Sequence, residues 1–88
     1  MWWRKRDPLD ALCEKWGIER VGADRIATGR QLIAAISMES DRALMRVKLT
    51  PRETISDFEH GKRDAAEIVQ RASIAYQEVM RAVYTGLH

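Results

Sequence analysis

A chain of 88 residues makes one small domain, and such a chain buries only roughly 60–65% of the surface its unfolded form exposes, so partner binding is a common way to enlarge its core. Hydrophobic content of 45% excludes wholesale disorder, while 15 basic against 13 acidic side chains leave a formal charge of +2, short of the surplus that marks binding to nucleic acid by charge alone. One cysteine, Cys13, excludes an intrachain disulfide and makes a reduced, cytoplasmic setting the expectation; no apolar run reaches signal-peptide or transmembrane length.

Residues 1–6 combine Met1-Trp2-Trp3 with Arg4-Lys5-Arg6, and a flexible basic and aromatic N-terminus is expected there, its tryptophans folding back on the core. Asp7-Pro8 then reads as a helix start, with aspartate as cap and proline in the first turn, where its missing N–H costs nothing. Leu9, Leu12, Cys13 and Trp16 recur at helical spacing. Gly17 suits the left-handed residue that ends a helix, and Ile18 can pack back over the last turn, so the first helix is expected over 8–16.

Two readings stay open for 18–30. Thr28-Gly29-Arg30-Gln31 has the spacing of a capping box, so a new helix can begin there. Alternatively, one helix runs through from about Ala23. From Arg30 to Leu49 the positions Leu32, Ile33, Ile36, Ala43, Leu44 and Val47 fit one helical face. Within that stretch Met45, Val47 and Leu49 also alternate with polar residues, as in a strand. A strand followed by two helices would resemble the ribbon-helix-helix fold, although 51–61 is about one turn short for its first helix.

Thr50-Pro51-Arg52-Glu53 reads as a capping box that opens the next helix. Ile55 and Phe58 are its expected apolar anchors, Gly61 its expected end, and His60 sits beside that end. The last helix is expected from about Arg63 to Tyr84. Ala65, Val69, Ala72, Tyr76, Val79 and Val83 recur there at 4-3-4-3-4 spacing on one stripe, which must be buried and is a candidate partner or dimer interface. The fold class that follows is all-α: a small bundle of about four helices in a single domain over 1–88, closed by a long C-terminal helix.

Chemistry has few footholds in this chain. Glu53, Asp57 and His60, with Asp64 beyond, offer carboxylate and imidazole on one helix, but a bundle metal site draws such groups from several helices, so no metal is expected. Cys13 lies on an apolar face where burial quenches a thiol, and no phosphate loop or nucleophile motif occurs, so neither catalysis nor a cofactor is expected. Tyr76, Tyr84, Met38, Met45 and Met80 would suit adaptable protein contacts if exposed. Arg42, Arg46, Lys48 and Arg52 form a loose basic run.

The segment Leu12-Cys13-Glu14-Lys15-Trp16-Gly17-Ile18, with Ala23 and Ile26, resembles the helix-turn-helix DNA-binding superfamily over about twenty residues. The resemblance implies a glycine turn that locks two helices, the second of which enters the major groove. It would offer Arg20, Arg25 and Thr28 to bases, with Arg30 near phosphate. The expectation is therefore a small non-enzymatic regulator that binds DNA, with a homodimer formed through the C-terminal stripe. The alternative is a protein-binding adaptor or phage-type inhibitor that acts through an apolar helical surface; no membrane partner is expected.

Overall fold

The computed structural model describes residues 6–85. The expectations for Met1 to Lys5 lie outside the described residues. Three helices follow in chain order: α1 (Pro8–Trp16), α2 (Arg25–Leu49) and α3 (Ile55–Thr85), and no strand occurs among the described residues. The chain is thus all-α with a long C-terminal helix.

Helix α1 forms where its local signals place it. Asp7 caps it by accepting a hydrogen bond from the Leu9 N–H at 3.0 Å. Gly17 takes φ 64° and ψ 35°, and the Ile18 N–H donates to the Cys13 carbonyl at 2.9 Å, which closes the end with a left-handed cap.

Helix α2 takes the second of the two open readings, one continuous helix from just past Ala23. Its cap is Asp24, which accepts from the Ala27 N–H at 2.9 Å, so Thr28-Gly29-Arg30-Gln31 lies inside the helix rather than at its start. Residues 43–49 are helical, which removes the ribbon reading.

The expected break into two helices after Thr50 is corrected twice. Thr50 ends α2 instead of opening the next helix, and its hydroxyl donates back to the Arg46 carbonyl at 2.7 Å. The working capping box lies four residues later. Thr54 Oγ1 accepts from the Asp57 N–H at 3.1 Å, and the Asp57 carboxylate accepts from the N–H groups of Glu53 and Thr54 at 3.2 Å. Nor does Gly61 stop the helix: α3 runs through it. Gly61 is buried because the Arg52 guanidinium lies where its Cβ would be. That guanidinium donates to the carbonyls of Val47 and Asp57, and so clasps the end of α2 to the start of α3.

Helices α2 and α3 form an antiparallel hairpin, and α1 packs against both at the end where α2 begins and α3 finishes. The molecule is a rod of 58 × 22 × 21 Å. Leu9 and Cys13 of α1, Leu32 and Ile36 of α2, and Ala72, Val79, Ala82 and Val83 of α3 make the buried core. All of it lies in the half of the rod that α1 covers. The α2–α3 crossing is tight there. A Cβ on buried Gly29 would sit 2.6 Å from Val83 Cγ2, so this helix position admits only glycine at the observed spacing.

This close approach predicts the sign of a substitution. Gly29→Ala gains roughly 1 kcal/mol of helix propensity but overpacks the crossing, and a net loss of about 1–2 kcal/mol is expected in urea unfolding. Combining it with Val83→Ala should cost less than the two single losses added, because the clashing methyl is gone. Additive costs would show that the helices separate freely at this point.

Candidate functional site

Two regions compete for function: the sealed end of the rod, which holds the residues that the helix-turn-helix resemblance singled out, and the open end, where the hairpin has no third helix.

At the sealed end Arg25 is the first residue of α2, and its guanidinium points inward, with the side chain 14% exposed. It donates to both carboxylate oxygens of Asp7, Nη1 to Oδ2 at 2.5 Å and Nη2 to Oδ1 at 3.1 Å. It also donates to the Val83 carbonyl at 3.1 Å and to the Ala82 carbonyl. Those carbonyls belong to the last turn of α3, where intrahelical donors run out. Arg20 donates to Asp7 at 3.1 Å, to Asp10 at 2.8 Å and to the Gly22 carbonyl at 3.2 Å. Thr28 is fully buried; its hydroxyl accepts from the Val21 N–H at 3.0 Å and donates to the Asp24 carbonyl at 2.8 Å. Three of the four residues assigned to DNA therefore fasten the connection between α1 and α2, and only Arg30 projects freely.

The corner itself differs from a helix-turn-helix. Residues 17–24 separate the two helices, where that motif needs a turn of three or four residues. Ala23 lies in the connection, and Ile26 is 51% exposed rather than locking two helices together. The physical reason is Asp7: a carboxylate at the start of α1 draws both arginines back onto the helix that precedes them.

The electrostatics follow from these contacts. The hydrogen bonds from Arg25 hold the Asp7 carboxyl far below the usual carboxylate range; partial burial opposes them, while the Leu9 N–H and Arg20 add to them. Burial pushes the Cys13 thiol up, with Asp10 and Asp7 adding to that and Arg20 opposing it. A buried thiol kept protonated has no nucleophile to offer. Asp57 is lowered by its capping bonds to Glu53 and Thr54, which occupies a carboxylate that the metal reading needed. Among the described residues no three metal-ligating side chains converge.

The C-terminal stripe is buried, but within the chain. Ala72, Val79 and Val83 belong to the core, Ala65 and Tyr76 are half-buried, and Tyr76 Oη shares a 2.7 Å hydrogen bond with Ser37 Oγ on α2. Only Val69 is substantially exposed, at 58%. Most of the stripe therefore faces α1 and α2 within the chain.

The open end holds what the sequence did not point to. From Ser37 to Leu49 on α2 and from Ile55 to Arg71 on α3 no apolar side chain is fully buried. Beyond Trp16, where α1 ends, the groove between the two long helices continues, lined by Ile36, Ala43, Ile68, Ala72 and Ala75. A separate hollow nearer the hairpin tip is lined by Leu44, Val47, Phe58 and Ala65, with Lys48, Arg52 and Lys62 around it. Ile55 and Phe58, the expected anchors, are 79% and 57% exposed. Met38, Met45, Met80 and Tyr84 are also exposed. The basic run was visible in sequence; that Lys62 joins it required the hairpin. None of the described helices is long and apolar enough to cross a membrane. No protein-family model, curated protein or solved structure matches the chain.

The Asp7 carboxylate gives a pH signature. Its folded pKa is depressed, so the stability it contributes is present above the unfolded value near ~4 and is lost as pH falls below it. The melting temperature should hold from neutral pH to about pH 5 and then drop. Asp7→Asn keeps a good helix cap but removes the charge; it should lose about 2 kcal/mol at neutral pH and show a shallower acid dependence. Equal acid slopes in the two proteins would show that the Asp7–Arg25 contact does not govern stability.

Proposed function

We propose that the protein is a non-enzymatic protein-binding module, an adaptor or inhibitor, that docks its partner in the open groove between α2 and α3. One observation carries this reading: apolar burial stops where α1 stops, although the apolar periodicity of both long helices does not. Two helices alone cannot enclose a core, and helical stability in water comes mostly from packing an apolar face. Leu49 and Met45, at 73% and 52% exposed, lie with Ile55 and Phe58 on the uncovered part. Exposed apolar side chains gathered at one end of a small molecule and edged by polar ones mark an interaction site.

DNA recognition through 12–30 loses its support because the arginines it requires are committed. Withdrawing Arg25 toward phosphate would leave Asp7 partly buried without its charge partner and strip the carbonyls at the end of α3. That loss, on the order of several kcal/mol, exceeds what one solvent-exposed phosphate pairing offsets.

A photo-crosslinking amino acid placed at Ser40, inside the groove, should yield one discrete protein adduct in the cell from which the chain comes, unaffected by nuclease. The same group at Gln31, exposed at the sealed end, should yield none. Adducts of equal intensity at both positions, or none at either, would overturn the reading. So would tight, salt-sensitive binding to mixed-sequence DNA.

A further inference from the structure

We propose that Arg52 is a strap across the hairpin tip. While its guanidinium is seated, the end of α2 and the start of α3 stay together. When it leaves, they part as one unit and uncover Leu44, Val47 and Ala65. The device works whether or not a protein docks in the groove beside Trp16.

Little else holds the tip. Leu44, Val47, Ala65 and Ile68 are only half-buried there. Among the described residues no ion pair joins α2 to α3. The side-chain hydrogen bonds that tie the end of α2 to the start of α3 all come from Arg52. Its Nη1 donates to the Asp57 carbonyl at 2.8 Å and its Nη2 to the Val47 carbonyl. The next side-chain link between the two helices, Ser37 to Tyr76, lies roughly 15 Å back along α2. Val47 belongs to the last turn of α2, where carbonyls run short of intrahelical donors and a cation is well placed against the helix dipole.

The seat of the strap is Gly61. The guanidinium lies where a Cβ at this position would be, and the glycine is buried beneath it. Glycine inside a helix is less stable than alanine, so the residue is unfavourable for α3 taken alone. The room it leaves admits the fork that reaches both helices. Arg52 and Gly61 line the same hollow as Leu44, Val47, Phe58 and Ala65, so the seated fork is part of its wall. None of the ion pairs among the described residues includes Arg52. A fork held at a partly exposed place by two neutral carbonyls is weaker than one that chelates a carboxylate, as Arg25 does at the sealed end. The tip is therefore the end that gives way first.

The test is residue-resolved amide hydrogen exchange on the full chain. In Arg52→Ala the amides of 44–49 and 58–65 should exchange roughly tenfold faster, while those of 32–36 and 79–83 keep their rates. Gly61→Ala should act in the same direction, because its methyl unseats the guanidinium, although alanine is the better helix former. In the Arg52→Ala background the sign should reverse. With no guanidinium to displace, Gly61→Ala should slow exchange at the tip about fivefold. A general loosening of the hairpin would not produce that reversal. Unchanged tip exchange in Arg52→Ala would overturn the proposal, as would equal acceleration along the whole chain. Slower tip exchange in Gly61→Ala alone would overturn it too. Faster exchange in the double variant than in Arg52→Ala would show that Gly61 makes room for something other than the strap, with the same consequence.

Discussion

The guanidinium of Arg25 holds the ends of all three helices at one point. It belongs to the first turn of α2, grips the carboxylate that caps α1, and fills the carbonyls that α3 leaves open at its last turn. The signs of the helix dipoles explain the arrangement. A cation is misplaced at the start of α2 taken alone, but it is well placed at the end of α3, and Asp7 puts the matching anion where α1 and α2 both start. Because the pair is partly buried, loss of either member strands the other charge in a poorly solvated place. Arg20 widens the cluster to Asp10, and Thr28 secures the connection that brings both arginines there. A small chain with few buried apolar side chains can close one end of its bundle in this way without a large core.

The other end has no such closure, and the contrast organises the molecule. Helix α1 is short, so it completes a three-helix core over only part of a hairpin whose helices run on to Leu49 and from Ile55. The distal hairpin is held by the Arg52 clasp and by Leu44, Val47, Ala65 and Ile68, which are half-buried. With few buried apolar contacts, this part opens at lower free energy than the sealed end. A binding surface drawn from the least stable part of a fold is the usual arrangement, since a surface fully satisfied by its own chain has nothing left to offer. On the docking reading, the partner covers apolar surface there as α1 does at the sealed end.

How legible all this was in the sequence depends on how far apart the partners lie. Helix α1 could be read to the residue, since Asp7, Pro8, Gly17 and Ile18 act on neighbours within one turn. The start of α3 could not. The chain offers threonine followed three residues later by an acid twice, at Thr50–Glu53 and at Thr54–Asp57, and local rules do not choose between them; Arg52, reaching to Val47 and Asp57, works with the second. Gly61 looked like a stop because glycine weakens helices, yet it survives in one because a guanidinium needs the space. The 65–83 stripe announced burial correctly but not its cover, since periodicity is blind to whether α2 or a second chain does the covering. The candidate site was least legible of all. Arg25 reaches Asp7 across 18 positions and the Val83 carbonyl across 58, and no window of sequence contains both ends of those bonds.

Three arginines at the helix junctions turn inward, while Arg30, Arg42, Arg46 and Arg63 stay on the surface with the lysines. An arginine fork can hold a carboxylate, a phosphate or a pair of carbonyls, and the fold decides which by what it brings within reach. In this chain Arg20, Arg25 and Arg52 all found internal acceptors, and each bonds two or more groups at once. Lysine is a compact, strongly hydrated point charge on a flexible stem, and holding it in a fixed internal geometry gains little at the surface. Lys48 and Lys62 accordingly stay exposed and uncommitted beside an apolar groove. The near-neutral balance of the chain conceals this division. Arg20 and Arg25 neutralise acids of the same molecule at the sealed end, whereas no ion pair among the described residues uses Lys48 or Lys62.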